Sequence, residues 1–177
     1  MLHTFTTSQW IPCPVGLVFG FFANPQNLIQ LMPSWNSARV EESRIVAPPG
    51  FSVAGNADGI AAGAGSIVTI SFKPLPLLPI RLRWEARISE FARNDHFCDE
   101  QTSGPFAYWK HCHRFREESG DGVTGTRITD EVVYEMKMGD AVELAHRIFF
   151  AGQIGRLFAY RQAQLEKILV GGSSLRT

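Results

Sequence analysis

The sequence predicts a single α+β domain in which a strongly curved antiparallel β-sheet of about six to seven strands wraps a long C-terminal helix. Three observations predict it. Four consecutive segments and a fifth, Ser66–Lys73, Ile80–Arg93, Phe97–Ser103, Ala107–Glu118 and Thr126–Lys137, alternate apolar and polar residues with period two. From about Asp140 to Val170 no proline occurs, and apolar residues step by four and three along one stripe. At 177 residues the chain is of single-domain size, and the terminal helix is the one element long enough to cover the inner face of such a sheet.

Taken in order, Leu2 to Trp10 reads as a strand rich in Thr, Phe and Trp. Cys13-Pro14 opens a short helix with Val15, Val18, Phe19 and Phe22 at helical spacing. Asn24-Pro25 ends it, and Pro25 opens a second short helix through Met32, stopped by Pro33. Ala38 to Ala47 is a strand, and the Gly/Ala/Pro-rich stretch Pro48–Gly65 is a mobile loop. In Ile80–Arg93 the inward set is Ile80, Leu82, Trp84, Ala86 and Ile88, with Arg81, Arg83, Glu85 and Arg87 outward. Asp140 is a good N-cap for the last helix. Its stripe is Leu144, Ile148, Ala151, Gly155, Phe158, Gln162, Leu165 and Leu169, with Glu143, Arg147, Arg161 and Lys167 off it.

The bulk composition narrows the function. The chain is 45% hydrophobic and 19% charged, with seventeen basic and seventeen acidic residues. A nucleic-acid partner calls for a basic excess, so none is expected. No apolar run approaches the roughly 20 residues that span a bilayer, and no signal peptide is evident. Cys13, Cys98 and Cys112 lack CxxC spacing and suggest neither a zinc site nor a disulfide scaffold. The expectation is a cytoplasmic protein without a cofactor; the sequence names no oligomeric state.

The inner face of the sheet is unusually polar. Alternation places Cys98, Glu100 and Thr102 outward, leaving Phe97, Asp99 and Gln101 inward. It places Tyr108, Lys110, Cys112 and Arg114 outward, leaving Trp109, His111, His113 and Phe115 inward. On the last strand Ile128, Asp130, Val132 and Tyr134 face in. With Asp121-Gly122 as a two-residue turn, His113 falls opposite Asp130 and Trp109 opposite Tyr134. A turn centred on Pro105 sets Asp99 opposite His111, and Gln101 opposite Trp109. Covered polar groups must be paired or wet, since each unsatisfied one costs roughly 1–3 kcal/mol. Two readings stay open: a structural Asp–His network, or the polar part of a ligand cavity.

The order of elements resembles the helix-grip (SRPBCC) superfamily of START lipid-transfer domains, birch-pollen-allergen proteins, and bacterial polyketide cyclases and aromatases. Phe97, Asp99, Gln101, Gly104, Pro105, Phe106, Trp109, His111, His113 and Phe115 resemble a stretch of its bacterial ligand-binding branch. Thr126, Ile128, Asp130, Val132 and Tyr134, and then Phe158 and Arg161, continue the likeness. The departures are Pro48–Gly65 and Met136-Lys137-Met138. The resemblance implies one helix-grip domain over residues 1–177 that holds a lipid, quinone or polyketide-like molecule between sheet and helix.

The ligand-binding candidates are therefore Trp84, Asp99, Gln101, Trp109, His111, His113, Asp130, Tyr134 and Phe158. A His–Asp pair with Tyr134 nearby would suit a polyketide cyclase or dehydratase, so His113, Asp130 and Tyr134 are the catalytic candidates, although no activated nucleophile accompanies them. His111 and His113 share a strand face with Glu117 beyond, yet no further strand histidine follows, and the ligand count predicts no metal site. Lys73–Pro79, with three prolines, reads as an apolar hairpin tip: a rigid turn packed on the helix, a cavity rim, a weak membrane contact or a partner-binding surface.

Overall fold

A computed structural model describes residues 1–49, 61–74, 79–120, 122–137 and 151–171. Its strands are β1 (His3–Ile11), β2 (Arg39–Arg44), β3 (Ile67–Phe72), β4 (Leu82–Ala92), β5 (His96–Ser103), β6 (Phe106–Gly120) and β7 (Val123–Met136). Helix α1 spans Val15–Ala23 and α2 spans Ala151–Leu169. The seven strands form one antiparallel sheet in the order β1-β7-β6-β5-β4-β3-β2.

The turn after α1 differs from expectation in kind. Pro25–Leu31 is a 3₁₀ helix, begun by Pro25 and capped by the Asn24 side chain, which accepts from Gln26 N at 3.0 Å. A further 3₁₀ turn, Ser34–Asn36, lies where no element is expected, and Ser37 leaves it in the left-handed region at φ 49°.

The long hairpin follows the expected register. Gly120 pairs with Val123, so the turn has two residues, with Gly122 at φ +78°; Asp121 itself lies outside the described residues. His113 pairs with Asp130, Trp109 with Tyr134, and Asp99 with His111. Gln101 does not pair with Trp109. The β5–β6 ladder ends at Glu100–Lys110, and the Gln101 amide instead closes the turn, donating to Phe106 O at 2.9 Å and accepting from Phe106 N at 3.3 Å.

Two apolar clusters pack beneath the sheet. One joins Val18, Phe19, Phe97, Phe115, Ile128 and Leu165; the other joins Phe106, Trp109, Val132, Tyr134, Ile154 and Phe158. Helix α2 lies over β1, with Phe5 and Phe158 rings 5.0 Å apart and Gln162 donating to Thr7 Oγ1 at 3.1 Å. Gly155 faces the same Phe5 ring, which a Cβ at this position would meet at 4.0 Å. Asp140, Leu144, Ile148 and the rest of 138–150 lie outside the described residues, as do 50–60 and 75–78 of the two predicted loops. The described end of the Pro48–Gly65 stretch is well anchored: Ala62 is buried, Ala62 N donates to Ala23 O and Gly63 N to Val46 O. Ile80, expected inward, precedes β4 and is 56% exposed.

The outer face holds a correction. Cys98 and Cys112 are not water-facing thiols; they are buried and joined as a disulfide across β5 and β6, at directly paired positions. Cys13 is the free cysteine. Thiol titration of unreduced, denatured protein is expected to find one thiol. Reduction should lower stability by up to about 3 kcal/mol, as for a loop of about 15 residues, read from urea unfolding with and without reductant. Three thiols before reduction would contradict the pairing.

Candidate functional site

Between the two apolar clusters runs a polar stripe whose members the strand registers bring together. Asp99 stands opposite His111 across β5–β6, and His113 opposite Asp130 across β6–β7. His111, two residues before His113, shares its face, and the two rings lie 4.0 Å apart. Phe22 and Phe97 pack on His113, at 5.1 and 4.6 Å, and Phe158 meets His111 edge-on at 5.4 Å.

Asp130 Oδ1 is the hub. His111 Nε2 lies 3.0 Å from it in hydrogen-bonding geometry, and His113 Nδ1 lies 2.6 Å from it, off the line of its ring N–H. His111 Nδ1 faces Asp99 Oδ2 at 3.7 Å. An imidazole nitrogen this near a carboxylate carries the proton, so Nε2–H of His111 and Nδ1–H of His113 face Asp130. The lone pairs then fall on His111 Nδ1 and His113 Nε2.

Electrostatics follow from burial. Burial first, and His113 second, hold His111 below its ordinary value despite Asp130 and Asp99. Burial likewise lowers His113 against the pull of Asp130. Both rings are thus neutral near pH 7. Burial acts to raise Asp130, but His113 and His111 beside it outweigh this and hold it well below the carboxylate range. Asp99 goes the other way: burial pushes its carboxyl up, and His111 and Arg161 offset that only in part.

The stripe opens on a cavity of about 790 Å³ between the sheet, α1, the 3₁₀ turns and α2. That volume suits a small organic molecule. Its wall is mostly apolar: Phe22, Leu28, Val68, Ile70, Leu82 and Leu157 contribute, and Trp84 and Trp109 meet edge-to-face at 4.8 Å. Lys73 and Pro74 stand at its boundary, as does Trp35, which is 44% exposed.

No protein-family model and no curated protein matches the chain in sequence. Solved structures match it along nearly its whole length. TTHA0849 from Thermus thermophilus superposes with a TM-score of 0.61 at 16% identity, over 97% of this chain and 99% of that one. Protein Ms6760 from Mycobacterium smegmatis gives 0.61 at 16%, over 96% and 92%. Ara h 8.0201 gives 0.54 at 15%, over 93% and 98%. The chain has the helix-grip fold. Identities this low speak for the fold and not for an activity.

Within the helix-grip frame the candidates separate. Trp84, Asp99, Trp109, His111, His113 and Phe158 line the large cavity. Gln101 is spent on the β5–β6 turn. Tyr134 is buried against Trp109 and Phe106, away from the cavity wall. Asp130 lies behind the histidines on a separate void of about 10 Å³, shared with Gln9, Arg161 and Gln162. Arg161, expected off the helix stripe, lines both spaces, its guanidinium 5.2 Å over the Phe158 ring. Burial lowers it, and the Asp130 and Asp99 carboxylates favour its charged form. Its spacing carries the signal: three residues after Phe158 is the same helix face.

Proposed function

We propose that this domain binds and carries a small hydrophobic molecule, of lipid, quinone or polyketide-like shape, in the space between sheet and C-terminal helix. The observation that carries the reading is the cavity of about 790 Å³, apolar over most of its wall, with Asp99, His111, His113 and Arg161 among the polar groups that line it. Apolar area supplies affinity there, while Asp99, His111, His113 and Arg161 orient a polar end of the guest. Native mass spectrometry of freshly purified protein, and quenching of Trp84 and Trp109 by quinones, are expected to find one guest per chain. Trp84→Phe with Trp109→Phe should remove most of the quench; quench persisting unchanged would place the guest elsewhere.

A second reading is an enzyme of the cyclase or dehydratase kind, and the close His113–Asp130 contact is the observation that favours it. A lone-pair nitrogen on a neutral imidazole beside an apolar guest is a general base, with Asp130 holding the tautomer. His113→Ala is then expected to abolish turnover of a poly-β-ketone analogue while guest binding persists. Equal turnover by the variant would remove His113 from any such role.

No described helix is long and apolar enough to cross a membrane. A cytoplasmic location is the expectation from sequence, and the Cys98–Cys112 disulfide weighs against it, because structural disulfides are rare in a reducing cytosol. Trapping thiols at cell harvest decides between them: a pair recovered reduced fits the cytosol, and one recovered oxidised fits an oxidising compartment.

A further inference from the structure

Among the described residues, one cluster on the cavity wall has the makings of a coordination site. We propose that Asp99, His111 and His113 bind one divalent transition-metal ion of the Zn2+ or Fe2+ class, with its remaining coordination positions turned into the cavity. One ligand atom from each of the three residues lies within 4.8 Å of the other two, so small side-chain rotations close them on a common centre. Two imidazoles and one carboxylate suit Zn2+ and Fe2+, whereas Mg2+ and Ca2+ take oxygen donors throughout.

Three further features fit a metal better than a plain core network. The first is tautomer control. Asp130 faces Nε2 of His111 and Nδ1 of His113, so each ring keeps one lone pair on its far nitrogen. A carboxylate held behind ligating imidazoles is the usual outer support of a histidine metal site. The second is access: Asp99, His111 and His113 all line the large cavity, while Asp130 does not. Three protein ligands therefore leave positions open to water or to an oxygen of the guest. The third is charge. Asp99 and Asp130 bring two carboxylates to one enclosed place where, among the described residues, Arg161 is the one permanent cation acting on both. A divalent ion would complete the compensation that Arg161 gives the Asp99 carboxylate only in part. Counting donors along one strand finds only His111, His113 and the exposed Glu117; the third donor comes from the neighbouring strand through the Asp99–His111 pairing.

The test uses the intact chain, stripped with chelator, and metal alone without any organic guest, so its outcome is independent of what the cavity carries. Calorimetric titration with Zn2+ is expected to give one ion per chain. X-ray absorption of the Zn2+ form should give a nitrogen/oxygen shell at about 2.0–2.1 Å and no sulfur at about 2.3 Å. Asp130→Asn, which touches no metal, should weaken binding by about 10–100-fold and shift the visible spectrum of the Co2+ form while keeping one ion per chain. Asp99→Asn and His111→Ala should weaken it further. Absence of a saturable site in the wild-type chain overturns the proposal, as does a sulfur shell, which would assign the ion to Cys13. These two wild-type measurements decide even where a variant fails to fold.

Discussion

Between pH 6.5 and the lower values at which the buried imidazoles finally take up protons, the metal-free protein is expected to lose up to about 2.7 kcal/mol of stability per pH unit. Each histidine contributes about 1.36 kcal/mol per unit, because His111 and His113 both lie below their ordinary value of 6.5 in the fold. The sign follows from proton counting. Below pH 6.5 the unfolded chain binds protons at both positions while the native state does not, so the slope of stability with pH is positive and stability falls on acidification. The contribution is complete above 6.5 and is lost as pH falls towards the folded values. Asp99 acts in the opposite sense. Its raised folded value lets the native state hold a proton that the unfolded chain has released above 3.8, so acidification through the folded value returns stability. Asp99→Asn removes that opposing contribution and should steepen the acid limb. Urea unfolding at a series of pH values reads both; a flat profile from pH 7 to 5 in both proteins would mean that the imidazoles are solvated.

Replacing Asp130 by alanine is expected to cost about 1–3 kcal/mol. The loss leaves the buried Nε2–H of His111 without its acceptor, an unsatisfied donor costing roughly 1–3 kcal/mol, and takes the carboxylate away from His113 Nδ1. Asp130→Asn keeps an acceptor oxygen on the same stem and should cost less than alanine. Denaturant midpoints at pH 7.5 separate the two. Equal costs for both variants would mean that the carboxylate position matters only as volume.

Much of this arrangement is legible in the sequence because period two and two hairpin turns fix a register. Once Asp121-Gly122 and Pro105 are turn centres, Asp99, His111, His113 and Asp130 must share a face, and the structure places them so. The same Pro105 register also puts Cys98 opposite Cys112; the disulfide is invisible to cysteine spacing along the chain and visible only across the strands. Gln101 departs from its expected place for a local reason: a side-chain amide near a turn competes for backbone groups, and it takes both of those on Phe106. Charge alone puts Arg161 on the solvent side of the helix. Its long stem instead carries the guanidinium into the cavity, over Phe158. Which strand residues meet open space, and which meet a neighbouring side chain, depends on packing in three dimensions. That is why Tyr134 and Asp130 fall outside the cavity wall although their alternation is the same as that of Trp109 and His111.

The central claim is that the large cavity holds an apolar guest, and filling the cavity tests it most directly. Ala86 lies on the wall, in the middle of β4 beside Trp84. Ala86→Trp places an indole in the guest's space and leaves Asp99, His111, His113 and Arg161 themselves unaltered in sequence. Binding of a hydrophobic fluorescent probe is measured by titration for both proteins, with thermal unfolding to confirm that the variant folds. The account predicts one saturable site in the wild-type chain and at least about a tenfold loss of affinity in the variant, or roughly 1.4 kcal/mol. A folded variant that binds the probe as tightly as the wild type would contradict it.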